Sequence, residues 1–390
     1  MNARALVSAI ALALAAAVSL GLARFSYALL LPLMRDDLGW SYTTAGAMNT
    51  VNAAGYLVGA LLMPLALRRW SARRLLLCGG FGAAALLIAH GAVTGDAALY
   101  ALRLLTGVAS AATFVAGGLL TARLASQGDA QAAGLVLGLY YGGIGIGIVA
   151  SALLVPLIGE RHAAHAWQGA WIALGVAAAI ATALTGAATR AIDQRPAAAT
   201  ARGHFDWPRF VYGLVGYFLF GLGYIGYMTF VVALLREQRL GATTITAFYA
   251  LLGLAAIASS WLWAGLLQRE RGGGAMRLLC ALVALATLLP VLSAHPLAVF
   301  ASGLLFGAVF VSVVASTTAL VRHNAPPAAW PAGISLFTIM FAAGQIVGPT
   351  LVGWVADGGG LTRGLACSAA VLLVGALAAW GQRPVSAAPA

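Results

Sequence analysis

Twelve long apolar blocks, separated by short stretches that hold most of the charge, constrain this chain more than any other feature. A helix of about 20 apolar residues crosses the roughly 30 Å hydrocarbon core of a bilayer. The blocks lie near residues 5–33, 43–67, 75–94, 97–122, 130–158, 166–189, 208–235, 243–267, 275–294, 296–321, 330–356 and 364–381. Only 8% of the residues are charged, whereas a soluble domain has about a quarter. The sequence therefore predicts an all-α polytopic membrane protein with twelve transmembrane helices.

The basic residues exclude several classes of function. The formal net charge is +12, but the arginines are scattered between apolar blocks, so no nucleic-acid partner is expected. All 22 basic residues are Arg, which excludes the lysines of a Walker A loop, a protein kinase and a pyridoxal phosphate enzyme. His162 and His165 beside Glu160 have a spacing that could bind a metal, but they are interpreted as part of a solvated loop. We expect no metal and no cofactor.

The distribution of arginine predicts the orientation in the membrane. Five arginines fall in loops on one side of the predicted spans: Arg35, Arg161, Arg236, Arg239 and Arg363. Most of the others fall on the side that holds both termini, and Arg24 and Arg103 lie within spans. Because arginine accumulates on the cytoplasmic side, both termini are expected in the cytoplasm.

The two halves of the chain repeat each other at an offset of about 200 residues. The segment 21–27 (GLARFSY) matches 221–227 (GLGYIGY), 104–107 (LLTG) matches 304–307 (LLFG), and the pair Gly143 and Gly147 matches Gly344 and Gly348. An offset of six helices keeps both halves in the same orientation. We therefore predict parallel six-helix bundles at 1–189 and 208–390, joined by a cytoplasmic linker at 190–207.

Several motifs resemble those of the major facilitator superfamily. Segment 103–107 (RLLTG) resembles its fourth-helix RxxxG motif, and the glycines of span five resemble its antiporter motif, although Ile148 replaces the usual proline. The loop at 65–74 keeps the superfamily's arginines, but Leu67 stands where an aspartate is usual. Segments 21–27 and 31–34 further resemble the bacterial YbfB/YjiJ-type group. This resemblance implies a secondary transporter in the bacterial inner membrane that works by alternating access, with proton coupling left open.

Arg24 is the leading candidate for substrate contact. It lies about nine residues, or about 14 Å of helix, from the outer end of the first span, which is deep for an arginine to reach the interface. An ionisable side chain at such depth is a functional candidate by default. Its guanidinium could hold a carboxylate or another anion in a bidentate fork. The alternative is a structural arginine bonded to helix carbonyls or to a neighbouring tyrosine.

Other polar and aromatic residues within the spans complete the candidate site. The expected substrate-binding set is Arg24, Tyr27, Asn49, Asn52, Tyr56, Tyr140, Tyr141, Tyr224, Tyr227, Trp261, Phe341 and Gln345. About half of the polar and aromatic candidates would instead serve packing or the interfacial belt. The expected coupling or gating set is Arg103, Asp36, Asp37, His90, Gly143, Gly147, Gly348 and Pro349. For Arg103 the alternative is a local contact with Asp96.

The predicted function is transport of a small organic solute, an amphipathic or carboxylate-bearing anion, by a monomer in the lipid bilayer. No span contains an acidic residue near its middle, so proton coupling would use a mouth acid, His90 or the substrate. Three alternatives stay open at this point: a drug or metabolite efflux antiporter of broad specificity, a membrane-embedded enzyme, and a non-transporting receptor on the same fold.

Overall fold

The computed structural model describes residues 3–127, 130–159, 164–190, 192 and 203–385, and all statements below concern these residues. They contain eleven helices that are long and apolar enough to cross a membrane. We number the membrane helices α1 (Ala3–Leu38), α2 (Tyr42–Arg69), α3 (Ala72–His90), α4 (Asp96–Ala125), α5 (Ala130–Gly159), α6 (Ala166–Ala188), α7 (Val211–Glu237), α8 (Ala242–Arg269), α9 (Gly274–Leu292), α10 (Pro296–Asn324), α11 (330–359) and α12 (361–380).

The last apolar stretch accounts for the difference between eleven continuous helices and twelve predicted spans. Residues Trp330–Trp380 run as one helix, interrupted at Gly360, whose φ is 82° and ψ is 161°. This left-handed backbone conformation strongly favours glycine. The interruption separates α11 from α12. With this division the described residues form the twelve spans expected, and the predicted all-α membrane fold is confirmed. Since the number of spans is even, the start of α1 and the end of α12 lie on one face, which we call the terminus face; the opposite one is the far face.

The middle of α1 departs from regular α-helix. Residues Ala17–Phe25 are π-helical, and the Ser26 N–H donates to the Gly21 carbonyl at 3.0 Å, five residues earlier. The Ser26 hydroxyl donates to the Leu22 carbonyl. Widened turns of this kind leave backbone groups free for other partners and occur often at functional sites. Arg24 lies within this segment.

Within each half, glycines allow the first and fifth helices to pack with their backbones in contact. A Cβ on Gly147 of α5 would lie 2.4 Å from the Ala17 carbonyl oxygen of α1, and one on Gly348 of α11 would lie 2.4 Å from the Leu222 carbonyl oxygen of α7. The first and fifth helices of each half therefore meet in the same way. In lipid there is no hydrophobic driving force between helices, and small residues instead allow the close van der Waals packing that holds helices together.

The two halves meet along two pairs of helices. α2 packs along α11, and α5 packs along α8. A Cβ on Gly46 would lie 2.2 Å from the Pro349 carbonyl oxygen, which shows how closely α2 and α11 approach. The far-face end of α1 also packs against α7. Most of the predicted linker, together with Glu160 and His162, lies outside the described residues.

Candidate functional site

A cavity of about 210 Å³ lies between the two halves, and its walls come from both. Helices α1, α2, α4, α5, α7, α10 and α11 contribute to it. Its lining residues are Leu20, Arg24, Phe25, Tyr56, Phe114, Tyr141, Ile144, Tyr217, Tyr224, Phe310, Val311, Val314, Thr338, Phe341 and Gln345. Arg24 is the one charged residue among these described lining residues. Six members of the expected binding set therefore come together: Arg24, Tyr56, Tyr141, Tyr224, Phe341 and Gln345.

Among the described residues, Arg24 makes one hydrogen bond to the other half of the chain. Its side chain is 3% exposed, and Nη2 donates to Oε1 of Gln345 at 3.0 Å. Nε2 of Gln345 in turn donates to the Tyr224 hydroxyl. The guanidinium carbon lies over the Tyr56 ring, 5.8 Å from its centroid. Nε of Arg24 is buried without a hydrogen-bond partner among the described residues, so the guanidinium retains donor capacity for an anion.

One wall of the cavity consists of nearly parallel aromatic rings. Tyr217 and Phe341 stack with centroids 4.8 Å apart and an interplanar angle of 10°, and Tyr224 and Phe341 stack at 5.4 Å and 14°. Phe310 continues the series from Tyr224 at 6.2 Å and 14°. Stacked rings present flat faces to which another planar group can add. This wall adjoins the Arg24 guanidinium through Tyr224 and Gln345.

Two pairs of lining residues occupy equivalent positions in the two halves. Phe114 and Val314 share the 200-residue offset of Gly107 and Gly307, and Ile144 and Gln345 share the 201-residue offset of Gly147 and Gly348. The same parts of these helices therefore line the cavity in both halves. The members of each pair differ in chemistry, and among the described lining residues the single charge, that of Arg24, lies in the N-terminal half.

Hydrogen bonds between the halves close the space beyond Arg24 on the far face. The Asp357 carboxylate accepts from the backbone N–H groups of Tyr42 and Thr43 at 2.7 and 2.9 Å, and from the Thr43 hydroxyl at 2.6 Å. The Tyr42 hydroxyl donates to Glu237. We call Tyr42, Thr43, Glu237 and Asp357 the far-face latch. Toward the terminus face, the lining extends to the exposed side chains of Tyr141 and Thr338.

Arg103 joins three helices beside the cavity instead of lining it. Nη1 donates to the Ala23 carbonyl of α1 at 3.2 Å, Nη2 to Oδ1 of Asn49 at 3.3 Å, and Nε to the Met48 carbonyl at 3.4 Å. Its guanidinium carbon lies 4.7 Å from the centroid of the Tyr27 ring. The expected alternative contact with Asp96 is not made, because Asp96 accepts from Nε1 of Trp40.

Three members of the binding set belong to the surroundings of Arg103. The Tyr27 hydroxyl donates to the Ala45 carbonyl at 2.8 Å. Nδ2 of Asn49 donates to Thr229 across the two halves at 2.7 Å, and Nδ2 of Asn52 donates to the Arg103 carbonyl at 3.0 Å. These side chains are thus hydrogen-bonded within the protein, and they lie outside the cavity lining.

Three further members of that set also lie elsewhere. The Tyr140 hydroxyl donates to the Phe114 carbonyl at 2.5 Å, and the Tyr227 hydroxyl is hydrogen-bonded to Ser302 at 2.6 Å. Trp261 is 41% exposed and packs on Gly138 at the contact of α5 and α8. None of these three aromatic residues belongs to the cavity lining.

The expected coupling residues have structural partners. His90 is fully buried, its Nδ1 lies 2.7 Å from the Leu86 carbonyl, and its ring stacks on Trp171. Asp37 accepts from Nε1 of Trp167 and contacts His165, whereas Asp36 is exposed and pairs with the neighbouring Arg35. A Cβ on Gly143 would lie 2.0 Å from the Ala13 carbonyl oxygen, so it packs like Gly147. Gly348 and Pro349 pack as described above.

The structure adds nine lining residues that were not in the expected set. They are Leu20, Phe25, Phe114, Ile144, Tyr217, Phe310, Val311, Val314 and Thr338. Most are apolar residues within apolar helices, which no local pattern distinguishes from lipid-facing ones. The repeat could have pointed to Ile144, because it occupies the position equivalent to Gln345, which was in the expected set.

Residues 16–380 match the family described as "Uncharacterised MFS-type transporter YbfB". The chain belongs to this MFS-type transporter family. The match covers all twelve spans in whole or in large part and confirms the resemblance seen in the motifs. No curated protein matches the chain.

Solved transporters share the fold at low sequence identity. A mutant form of the nucleoside transporter NupG superimposes with a TM-score of 0.76 at 14% identity, covering 96% of this chain and 99% of NupG. A bacterial homologue of the human lysosomal transporter Spinster, inward-facing and unoccupied, gives 0.75 at 11% identity, covering 97% of both chains. The human organic anion transporter MFSD10 gives 0.64 at 16%, covering 97% of this chain and all of MFSD10. These similarities show that the chain has the MFS fold.

Proposed function

We propose that this protein is a secondary transporter of a small carboxylate-bearing organic anion, and that Arg24 binds the carboxylate. The observation that carries the proposal is a buried guanidinium between the two halves, whose Nε has no partner among the described residues and whose one hydrogen bond is to a neutral amide. A buried charge without an opposite charge is costly. A carboxylate in the cavity would neutralise it and could form a bidentate pair with the guanidinium.

The composition of the cavity supports an anion over a cation or a sugar. No Asp, Glu or His lines it within the described part of the chain. A cationic substrate would therefore meet only the like charge of Arg24, and a sugar would leave most of its hydroxyl groups against aromatic and aliphatic walls. An organic acid instead has one end for Arg24 and an apolar remainder for these walls.

The size of the cavity supports a small solute over a broad range of drugs. Its volume of about 210 Å³ is below the roughly 300–1,000 Å³ of sites that hold drug-sized ligands. The efflux antiporter of broad specificity is therefore the second candidate. It predicts exchange of bulky amphiphiles, which the present cavity could accept only after widening.

The mechanism we propose is alternating access, with this structure closed on the far face. The far-face latch joins the N-terminus of α2 to α7 and α11. The arginine distribution supports a cytoplasmic terminus face in the bacterial inner membrane, with both termini in the cytoplasm. Because one chain builds the whole cavity, we propose a monomer as the working unit.

Proton coupling would depend on the substrate or on acids outside the cavity. His90 is enclosed between α3 and α6 and hydrogen-bonded to a backbone carbonyl. Asp36 lies exposed at the end of α1. We therefore propose anion exchange as the basic activity. Uptake into liposomes driven by an imposed pH gradient would support coupling, and exchange that is insensitive to pH would exclude it.

Counterflow in liposomes tests the proposed function. The purified protein is reconstituted, loaded with an unlabelled organic acid and presented with the labelled acid, and amines, sugars and bulky drugs serve as comparison solutes. We expect protein-dependent exchange of one or more small carboxylates, abolished in Arg24→Ala. Exchange of drugs instead would favour the second candidate. Binding without exchange would favour a receptor, and chemical conversion of a solute would favour an enzyme.

A further inference from the structure

We infer that the occupant of this cavity is a planar aromatic monocarboxylate, and that its carboxylate displaces the Gln345 amide from Arg24. The inference rests on the proposed function and narrows its substrate class. Three observations carry it: the aromatic wall, the single cation, and the position of the Gln345 amide against the guanidinium.

The aromatic wall favours a planar ring over an aliphatic chain. More than half of the lining residues are aromatic, and the rings of Tyr217, Phe341, Tyr224 and Phe310 differ in orientation by 14° or less between stacked neighbours. A planar substrate ring can join such a series face to face in an offset arrangement, whereas a saturated ring or chain gains only apolar contact. Stacking thus favours a planar aromatic substrate over a saturated one of similar size, a preference that burial of apolar surface alone would not give.

The single cation limits the substrate to one negative charge. Arg103 is the other buried arginine nearby, but its guanidinium is already bonded to the Ala23 and Met48 carbonyls and to Asn49. Arg24 is thus the one cation among the described residues that line the cavity. A second carboxylate on the ligand would lie against aromatic and aliphatic side chains, where desolvation is unfavourable. A neutral amide of the same shape would lose the charge-assisted bond.

Gln345 holds the place that the carboxylate takes. Its Oε1 accepts a hydrogen bond from Nη2 of Arg24, and its Nε2 donates to the Tyr224 hydroxyl. An amide oxygen is a weaker acceptor for a guanidinium than a carboxylate oxygen. An arriving carboxylate can therefore replace it, and the released Gln345 amide can donate to the carboxylate or stay with Tyr224. Since Arg24 is on α1 and Gln345 on α11, this exchange also breaks a hydrogen bond between the halves.

Four ligands that differ in ring planarity or in charge test the inferred substrate class. The purified full chain is titrated with benzoate, cyclohexanecarboxylate, benzamide and phthalate, and the dissociation constants are measured by calorimetry. We expect benzoate to bind about five- to tenfold tighter than cyclohexanecarboxylate, and at least about tenfold tighter than benzamide or phthalate. Equal affinity for the saturated acid, the amide or the dianion would overturn the inference, as would absence of benzoate binding.

Two variants test the displacement. Gln345→Glu provides a permanent internal carboxylate for Arg24, so benzoate affinity should fall by at least about tenfold. Gln345→Ala removes the competing amide, so affinity should stay equal or increase. Thermal unfolding of both variants checks that they are folded. Unchanged affinity in a folded Gln345→Glu variant, or lost affinity in a folded Gln345→Ala variant, would contradict displacement.

The proposed function and this inference can fail separately. Arg24-dependent counterflow of saturated carboxylates, with no preference for benzoate, would refute the aromatic class and retain the transport of carboxylates. Benzoate binding with the expected selectivity, but without counterflow, would retain the aromatic carboxylate site and refute transport.

Discussion

Asp357 caps the first turn of α2 from the opposite half of the protein, accepting hydrogen bonds from the N–H and the hydroxyl of Thr43 at 2.9 and 2.6 Å. The first N–H groups of a helix have no partner within it, and a carboxylate there also interacts favourably with the helix dipole. In the alternating-access mechanism proposed above, this contact would break when the far face opens. Leu67, where the superfamily usually has an aspartate, offers no carboxylate for a comparable contact on the terminus face.

Asp357→Ala should shift the population toward a far face that is open. Loss of a capping side chain costs about 0.5–2 kcal/mol, which at about 1.4 kcal/mol per tenfold changes the ratio of closed to open protein by about two- to thirtyfold. Spin labels at Gly95 and Gly241, N-cap positions with open space around them, would report longer distances by electron paramagnetic resonance. Asp206→Ala is the matched control, since the exposed Asp206 carboxylate pairs locally with Arg209 at the terminus face. The same distance distribution in both variants would refute the role of Asp357.

Gly147→Ala should impair both stability and exchange. The added Cβ would meet the Ala17 carbonyl oxygen at 2.4 Å and the Cα of Gly21 at 2.7 Å, so α1 and α5 must separate next to the π-helical segment that carries Arg24. Overpacking of this kind costs about 1–3 kcal/mol. Gly134→Ala, on the same helix with nothing within 4 Å, should leave the unfolding temperature and the exchange rate unchanged. Equal behaviour of the two variants would show that the contact of α1 and α5 tolerates the added methyl.

Arg103→Lys should destabilise the protein while benzoate still binds. Lysine cannot reproduce three hydrogen bonds to α1 and α2, and interhelical hydrogen bonds in membranes average about 0.6 kcal/mol each, so the free energy of unfolding should fall by about 2 kcal/mol. Denaturant unfolding in detergent measures this change, with the exposed Arg68→Lys as the control. An unaltered unfolding curve in Arg103→Lys would mean that these bonds contribute nothing to stability.

Much of the fold could be predicted from the sequence, because the bilayer demands helices of a fixed length. Apolar length alone located the spans, and the offset between Gly143 and Gly344 revealed the repeat that the packing on α1 and α7 bears out. The π-helical segment at Ala17–Phe25 was not foreseen. Backbone groups of this segment find partners on other helices: the Ala23 carbonyl, for example, accepts a hydrogen bond from the guanidinium of Arg103 on α4. That information is not local to α1.

The charged residue of the candidate site could be predicted from the sequence, whereas most of the residues that line its walls could not. Arg24 stood out because an isolated charge in an apolar span is rare. The direction in which an aromatic side chain points depends on the rotation of its helix about its own axis. Adjacent residues such as Tyr140 and Tyr141 differ by about 100° around that axis, and the sequence does not show which of the two faces the cavity. Of these two neighbours, Tyr141 lines the cavity, and Tyr140 turns toward the Phe114 carbonyl.

The central claim is that the guanidinium of Arg24 binds the substrate carboxylate. Calorimetric titration of benzoate into wild-type protein, Arg24→Lys and Arg24→Ala tests it most directly, with thermal unfolding to verify that each variant is folded. Lysine keeps the charge but not the planar fork of donors. We therefore expect no detectable binding in Arg24→Ala, partial recovery in Arg24→Lys, and full affinity only in the wild type. Wild-type affinity in a folded Arg24→Ala variant would contradict the account.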